Sequence, residues 1–313
     1  MSETFDIAMR VRFRGQERRR GMLIQGTVGW GEFSPFPEYD AVESSRWLAA
    51  ALEAANDGWP TPLRMRIPVN TTVPAVGPEQ AHAMVAASGC STAKVKVAEP
   101  GQSLAEDIAR VEAVRDALGP AGRVRVDANA AWSLDEAVIA LRELSAFGLE
   151  YAEQPVASLD DMAALRRRVD VRLAADESVR RAEDPMQIAG LEAADLVVLK
   201  VQPLGGVRAC LQVAEACGLP VIVSSAIETS VGLAAGVALA AALPDLPFAC
   251  GLGTVPLLDG DACSASLIPV DGALTVSLSA PEPDLLERVR ADSDVDAWWQ
   301  QRLSDAQAVL DAG

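Results

Sequence analysis

The sequence has 313 residues, half of them hydrophobic, and a formal net charge of −17 at pH 7. This length allows one large barrel-type domain or two smaller ones. The strongly acidic balance argues against nucleic acid or an anionic membrane as a partner, because either would require a positively charged surface.

Cysteine and histidine usage narrows the class further. The five cysteines form no C-x-x-C pair and have no regular spacing, which is typical of small buried residues in a reduced, cytoplasmic protein. The chain has a single histidine, His82, which excludes a His-rich metal site and argues against a Ser-His-Asp triad. We expect a structural role for His82. The N-terminus has no signal-peptide pattern, and the longest apolar run, 231–243, is too short to cross a bilayer.

Residues 1–66 are predicted to form a small α+β capping segment. Two β-type runs, 5–13 and 21–27, flank the polar residues 16–20, which we interpret as a solvated hairpin loop. Asp40 is typical of a helix N-cap and predicts a helix that ends near Asn56.

From residue 67 short apolar runs alternate with capped amphipathic helices. Two capping boxes, Ser103 with Glu106 and Ser133 with Glu136, mark helix starts. Strands that alternate with helices predict a parallel sheet whose faces are covered by the helices. The predicted strands lie at 67–70, 92–97, 123–128, 149–153, 171–176, 196–201, 219–224 and 247–251.

Eight such strands favour a closed α/β barrel over an open doubly wound sheet, which would carry a G-x-G-x-x-G motif after its first strand. Because the repeat stops after Leu257, we expect a TIM-type (β/α)7β barrel over residues 67–257. Residues 258–313 are then predicted to pack back onto the capping segment or the barrel wall.

Polar residues end six consecutive predicted strands, each about one βα unit after the last. In a barrel, the carboxyl ends of the strands meet at one mouth, where catalytic residues lie. Strand alternation also places Lys94 and Lys96 on one face and Asp127 and Asn129 on one face. The six residues are Lys96, Asp127, Glu153, Asp176, Lys200 and Ser224.

Asp127, Glu153 and Asp176 end the third, fourth and fifth strands. Neighbouring strands lie about 4.8 Å apart, so the three carboxylates can converge on one cation. Hard oxygen ligands with open positions suit Mg²⁺, with Mn²⁺ as a possible substitute. The alternative is that these carboxylates pair with the lysines and bind no metal.

Lysine is rare in this chain, since only three of the 27 basic residues are lysines. A desolvated lysine can lose its proton near neutral pH, whereas arginine cannot, so Lys94, Lys96 and Lys200 are candidate proton carriers or Schiff-base formers. Strands two and six lie opposite each other in an eight-strand ring, which places a substrate between Lys96 and Lys200. Lys94 adds a like charge that lowers the pKa of Lys96. The alternative is an accident of composition.

This layout suits metal-assisted removal of a proton next to a carboxylate. The expected substrate is therefore a small-molecule carboxylate. Small residues at the ends of strands seven and eight are candidates for binding its carboxylate groups, because glycines allow close backbone approach. They are Ser224, Ser225, Gly251, Gly253 and Thr254, and the alternative is that the glycines are ordinary loop residues.

The combination of motifs resembles the enolase superfamily, in particular its muconate-lactonizing-enzyme subgroup. The resemblance covers essentially the whole predicted barrel and implies Lys94, Lys96 and Lys200 as catalytic residues, a divalent metal on the three carboxylates, and supporting roles for Asn129 and Glu177. The matching segments are Lys94-Val95-Lys96, Asp127-Ala128-Asn129, Glu153-Gln154-Pro155, Asp176-Glu177-Ser178, and Lys200 within 200–206.

Within the subgroup, the chain most resembles the dehydratases that form o-succinylbenzoate in menaquinone synthesis, on account of segments 29–35 and 224–232. The resemblance implies a syn dehydration in which Lys96 takes the proton and Lys200 stabilises the enolate. The cap is shorter than in most of the family. Three alternatives remain: an N-acylamino acid racemase or dipeptide epimerase, a Schiff-base aldolase acting through Lys200, and a non-catalytic binding barrel.

Overall fold

The computed structural model describes residues 2–180 and 186–312. The strands are β1 (Ser2–Phe13), β2 (Gln16–Gln25), β3 (Trp30–Phe33), β4 (Arg66–Val73), β5 (Thr92–Lys96), β6 (Arg123–Asp127), β7 (Leu149–Glu153), β8 (Leu173–Ala175), β9 (Leu196–Leu199), β10 (Val221–Val223), β11 (Cys250–Gly253) and β12 (Ala273–Thr275). The helices are α1 (Ala41–Asn56), α2 (Pro78–Ser88), α3 (Leu104–Leu118), α4 (Leu134–Leu144), α5 (Leu159–Arg166), α6 (Glu177–Arg180), α7 (Met186–Gly190), α8 (Val201–Leu204), α9 (Val207–Cys217), α10 (Ser230–Ala242), α11 (Pro283–Val289) and α12 (Ser293–Ala312).

Strands β4 to β11 form the predicted barrel. They pair in parallel in the order β10-β9-β8-β7-β6-β5-β4-β11. A parallel bridge between Ser224 and Gly251 brings β10 against β11 and closes the ring. Helices connect each strand to the next, and none separates β11 from the C-terminal segment, so the (β/α)7β prediction is confirmed.

Side-chain alternation sets which residues face the barrel axis. Val95 of β5 and Val197 of β9 pack under the surrounding helices. Leu196, Val198 and Tyr151 form a separate buried cluster inside the ring. Because adjacent residues of a strand point to opposite faces, Lys94 and Lys96 point inward when Val95 points to the helices.

The barrel helices begin where the sequence predicts. At α3, the Ser103 hydroxyl accepts from the Glu106 N–H while the Glu106 carboxylate accepts from the Ser103 N–H. Ser133 and Glu136 repeat this capping box at α4. Such caps satisfy N–H groups that have no partner within the helix, which fixes the start of each helix relative to the preceding strand.

The cap consists of the antiparallel sheet β1-β2-β3, helix α1 and the C-terminal helices. Helix α12 packs on α1, and the Phe33 and Trp299 rings meet edge to face at 5.9 Å. The Ala291 N–H donates to the Thr4 carbonyl, which ties the C-terminal segment to β1. The boundaries at residues 66 and 257 stay predictions of the sequence.

The prediction of a solvated loop at residues 16–20 is wrong. These residues belong to β2, and the turn is Arg14-Gly15, with Phe13 opposite Gln16. Arg18 pairs with Asp6 on the outer face, while Arg19 is only 2% exposed. The guanidinium of Arg19 donates to the carbonyls of Ile227 and Ser34. Neighbouring charged residues of β2 thus alternate between the solvent-facing side and the interior, where hydrogen bonds satisfy the buried charge.

Two further features concern the cysteines and the apolar character of the helices. All five cysteines are free and buried. Within residues 2–180 and 186–312, no helix has the length and apolar character needed to span a membrane.

Candidate active site

The barrel mouth is the ring of side chains at the carboxyl ends of β5 to β10. Parallel register sets Lys96 beside Asp127 and Asp127 beside Glu153. Asp176 directly follows β8, and Lys200 is the N-cap residue between β9 and α8. The structure therefore brings together the residues that the sequence predicts at the mouth.

The mouth is buried and densely charged. Asp127, Glu153 and Asp176 are each 1% exposed, and Lys94 and Lys96 are 6% and 8% exposed. Burying charges is costly unless they are paired and hydrogen-bonded, so the charged groups must satisfy one another.

Each of the three carboxylates contacts a lysine ammonium. Lys94 Nζ lies 2.8 and 2.9 Å from the two Glu153 oxygens and 3.3 Å from Asp127 Oδ2. Lys96 Nζ lies 2.5 Å from the same Asp127 oxygen. Lys200 Nζ donates to Asp176 Oδ2. The two lysines of β5 thus share one carboxylate, while Lys200 is held on the other side of the mouth.

The environments of the two β5 lysines differ. Burial by itself lowers the pKa of Lys94, but Glu153 and Asp127 together raise it well above its ordinary value. Burial also lowers the pKa of Lys96; Asp127 opposes this shift, and the charge of Lys94 adds to it. The surroundings therefore favour the charged form of Lys94 and disfavour the charged form of Lys96.

The pKa values of the buried carboxylates are also shifted in opposite directions. Burial disfavours the Asp127 carboxylate, but Lys96 and Lys94 hold its pKa well below the ordinary range. Burial and then the negative charge of Asp127 raise the pKa of Glu153 to about 7. Asp176 adds to this rise, so the three carboxylates are close enough to repel one another through a medium that screens poorly.

This donor set fits a divalent cation. Three buried carboxylates on adjacent strands supply hard oxygen ligands, and their mutual repulsion would be relieved by positive charge. In the described part of the chain, no three His, Cys, Asp or Glu side chains are arranged so that they could already hold an ion. The ammonium groups of Lys94, Lys96 and Lys200 lie against the carboxylates instead.

Asn129, for which the resemblance implies a supporting role together with Glu177, lies at the mouth and contacts Glu177. The Asn129 side-chain oxygen accepts from Lys96 Nζ, and its amide donates to Glu177 Oε1 at 3.3 Å. The backbone N–H of Asn129 donates to Asp127 Oδ1 at 3.0 Å. Asn129 therefore orients both the lysine and the carboxylate that it contacts.

Gln154 is a supporting residue that sequence reasoning did not assign. Its side-chain oxygen accepts from the N–H groups of Asp176, at 2.9 Å, and Ser178, at 3.1 Å. Its amide donates to the Ser178 hydroxyl at 2.7 Å. Gln154 thereby fixes the backbone that carries Asp176, and its place directly after Glu153 is the signal that could have revealed it.

Four of the five predicted small residues reach the cavity above the mouth. Ser224, Ser225, Gly251 and Thr254 line it, and the hydroxyls of Ser225 and Thr254 lie 2.7 Å apart. Gly253 is not among the lining residues. A Cβ added there would lie 2.6 Å from the Asn70 carbonyl oxygen, so this glycine serves strand packing.

The cap supplies the opposite side of the cavity, here termed the cap wall: Phe13, Arg14 and Phe36. The Phe13 ring centroid lies 5.2 Å from Lys96 Nζ. The enclosed volume is about 30 Å³, so the cap lies close over the mouth. Sequence reasoning missed these residues, although the Gly15 turn between two β-type runs is a local signal of a hairpin tip.

His82 lies outside this cavity. Its side chain is 45% exposed, and Nε2 lies 3.3 Å from Asp116 Oδ2. Its structural role stays a prediction.

Comparison with known families identifies the class. The family model described as "Enolase C-terminal domain-like" matches residues 78–281, and "Enolase N-terminal domain-like" matches residues 4–55. These matches cover most of the barrel and the N-terminal part of the cap. The chain belongs to the enolase superfamily, within it to the family of its o-succinylbenzoate synthase relatives.

Those relatives are similar over nearly their whole length. An o-succinylbenzoate synthase of Thermobifida fusca (strain YX) is 62% identical over 97% of this chain and 95% of its own. One of Mycolicibacterium smegmatis is 50% identical over 97% of this chain and 94% of its own.

Solved structures show the same fold at lower identity. Muconate lactonizing enzyme of Pseudomonas fluorescens has a TM-score of 0.80 and 21% identity, over 93% of this chain and 98% of its own. The L-Ala-D/L-Glu epimerase of Bacillus subtilis has a TM-score of 0.78 and 24% identity, over 90% of this chain and 96% of its own.

Proposed function

We propose that this protein dehydrates 2-succinyl-6-hydroxy-2,4-cyclohexadiene-1-carboxylate to o-succinylbenzoate. The observation that carries the proposal is the site geometry: two lysines on opposite sides of a barrel mouth, with three buried carboxylates between them. The relatives that are 50–62% identical over nearly the whole chain support this particular reaction.

The reaction removes a proton from the ring carbon that bears the carboxylate and expels hydroxide from the neighbouring carbon. Neutral Lys96 takes the proton, which leaves an enediolate. The protonated Lys96 then returns that proton to the departing hydroxide, so water leaves as the ring becomes aromatic. One lysine can serve both steps because a syn elimination places the proton and the hydroxide on the same ring face.

The remaining side chains hold the negative charge of the enediolate. Lys200, which contacts Asp176 in this structure, supplies positive charge from the other side of the mouth. Lys94 remains charged, because Glu153 and Asp127 raise its pKa. Preorganised charges in a dry site act strongly on a developing anion, because little water must reorganise around them.

Members of the superfamily use a divalent metal, and Mg²⁺ is the expected ion here, with Mn²⁺ as a substitute. Asp127, Glu153 and Asp176 would hold it, and its charge would stabilise the enediolate oxygens. The Lys96–Asp127 and Lys200–Asp176 contacts would then give way, which would free both lysine side chains to face the substrate.

The substrate and product place the reaction in menaquinone biosynthesis, and we assign the protein to the cytoplasm. The partner is then a small-molecule dicarboxylate. An aldolase mechanism through Lys200 is not favoured, because Schiff-base chemistry needs no cation, whereas three buried carboxylates lie at this mouth.

Metal removal tests this proposal. The chelated protein should lose dehydration activity, which should return with Mg²⁺ and with Mn²⁺. Borohydride with substrate should leave Lys200 unmodified. Full activity in metal-free protein, or a covalent adduct on Lys200, would contradict the proposed chemistry.

A further inference from the structure

The tip of the cap hairpin has an unusual residue in a restricted conformation. Arg14 and Gly15 form the two-residue turn between β1 and β2, with φ of 51° and 72°. Positive φ at both positions is the geometry of a type I′ turn, for which Asn-Gly is the favoured sequence. An arginine there is in a strained backbone conformation, which directs attention to its side chain.

The Arg14 side chain is held in a fixed orientation. Its guanidinium lies over the Phe36 ring, 4.1 Å from the centroid, and Nη2 donates to the Tyr39 hydroxyl at 3.2 Å. Its acidic neighbour is Glu38, half exposed, at 3.6 Å from the same nitrogen. The other terminal nitrogen, Nη1, is buried and has no hydrogen-bond partner among residues 2–180 and 186–312.

A buried charged donor without a partner is costly, and a ligand that supplies an acceptor recovers that cost. Arg14 lines the same cavity as Lys96 and Lys200, on the cap side. The three lysines of the cavity each contact a barrel carboxylate, whereas Arg14 has no comparably close acidic partner among the described residues. The cap wall therefore offers a guanidinium to an anion whose reacting end lies at the barrel mouth.

The proposed substrate has two carboxylates. The ring carboxylate becomes the enediolate and must lie at the mouth. The succinyl carboxylate takes no part in the chemistry and needs a separate cation. We propose that Arg14 binds this second carboxylate and thereby selects dicarboxylate substrates over monocarboxylate analogues. This assignment rests on the proposed function.

The test compares two ligands that differ in one carboxylate. o-Succinylbenzoate carries both groups, and 2-butanoylbenzoate lacks the succinyl carboxylate. Calorimetric titration in Mg²⁺ would give both dissociation constants for the wild type, Arg14→Gln, Arg14→Asn and Arg20→Gln. Arg20→Gln is the matched control, because it removes one positive charge from the same hairpin, at a 45% exposed side chain that pairs with Asp6.

We expect the wild type to bind o-succinylbenzoate at least about tenfold more tightly than 2-butanoylbenzoate, as for a charged hydrogen bond. Both Arg14 variants should lose that preference with unchanged affinity for 2-butanoylbenzoate, and Arg20→Gln should keep it. Because Asn suits a type I′ turn, Arg14→Asn should unfold at the same or a higher temperature than the wild type. Affinity lost without stability lost separates ligand binding from a structural role.

Two results would overturn the assignment in different ways. Equal effects of the Arg14 variants on the affinity for both ligands, or no effect, would exclude Arg14 as the residue that binds the succinyl carboxylate. The proposed function would not be affected by that result. Failure of the wild type to bind o-succinylbenzoate or to form it by dehydration would contradict the proposed function, and the Arg14 assignment with it.

Discussion

The barrel mouth and the cap wall enclose the same cavity but are built in different ways. Each charged group of the mouth ends a parallel strand, so the register of neighbours such as Lys96 and Asp127 places it. The cap wall is positioned by contacts between distant parts of the chain, such as that of Arg19 with the Ile227 carbonyl. We infer that the mouth carries the chemistry, whereas the cap carries the choice of substrate.

The largest expected effect breaks the mouth and leaves the cap intact. Lys96→Arg keeps a positive charge but removes the base, because arginine does not lose its proton. The turnover number should fall by at least the ~10²–10⁴-fold typical of a general base. Arg20→Lys, an exposed exchange on the cap, should have the wild-type rate. Near wild-type turnover of the Lys96→Arg enzyme would contradict the role of Lys96 as a base, and the low number of lysines would then be an accident of composition.

The same contrast explains what the sequence could reveal. The mouth was predictable because each βα unit places a polar or charged residue at a strand end before the next helix, and six consecutive strands repeat this order. Asp127, Glu153 and Asp176 needed only strand order to be brought together. The resemblance to a known family then named the chemistry that the pattern suggested.

The cap wall was not predictable in the same way. Residues 16–20 are five polar residues in a row, and composition alone favours a solvated loop. The inward position of Arg19 depends on carbonyl groups of residues 34 and 227, which no local pattern can place. Gly253 was misassigned for a related reason, since its neighbour is the backbone of another strand, at Asn70.

The free energy of unfolding should depend on pH through Glu32, which joins the cap to the barrel. Glu32 of β3 is 2% exposed and accepts from the N–H groups of Thr229 and Gly232 and from the Ser34 hydroxyl. Burial raises its pKa to about 7, from an ordinary value of 4.5. The folded state therefore binds this proton more tightly than the unfolded state does.

The stabilisation of the folded state by protonated Glu32 is fully present below pH 4.5 and is lost as the pH rises through about 7. It amounts to at most ~3 kcal/mol in the free energy of unfolding. Urea titrations between pH 4.5 and 7.5 would measure it. Glu32→Gln has no such proton and should show a flatter profile, so an unchanged slope in that variant would exclude Glu32 as its source.

A pair of glycines on β11 separates packing from substrate contact. Gly253→Ala should lower the free energy of unfolding by ~1–3 kcal/mol, because its Cβ meets backbone, with little change in KM. Gly251→Ala places its Cβ 2.5 Å from the Ser224 hydroxyl in the cavity and should raise KM. Thermal unfolding and steady-state kinetics on both variants would check this, and the reverse assignment of the two effects would refute it.

The smallest expected effect is that of Lys200→Arg on dehydration. Lys200 supplies positive charge without exchanging a proton, so arginine should cost only about tenfold, or ~1.4 kcal/mol in the barrier. In a racemase, the same residue must give and take a proton, and the exchange should be as damaging as at Lys96. Rates of both variants, with solvent-deuterium exchange at the carbon next to the carboxylate, decide between the two.

The central claim is the reaction itself, and a direct comparison of substrates tests it. The measurement is kcat/KM of the wild-type protein with Mg²⁺, for the cyclohexadiene dicarboxylate and for a panel of N-succinyl and other N-acylamino acids. We predict rapid formation of o-succinylbenzoate, with any racemisation much slower. Efficient racemisation without detectable dehydration would contradict the account.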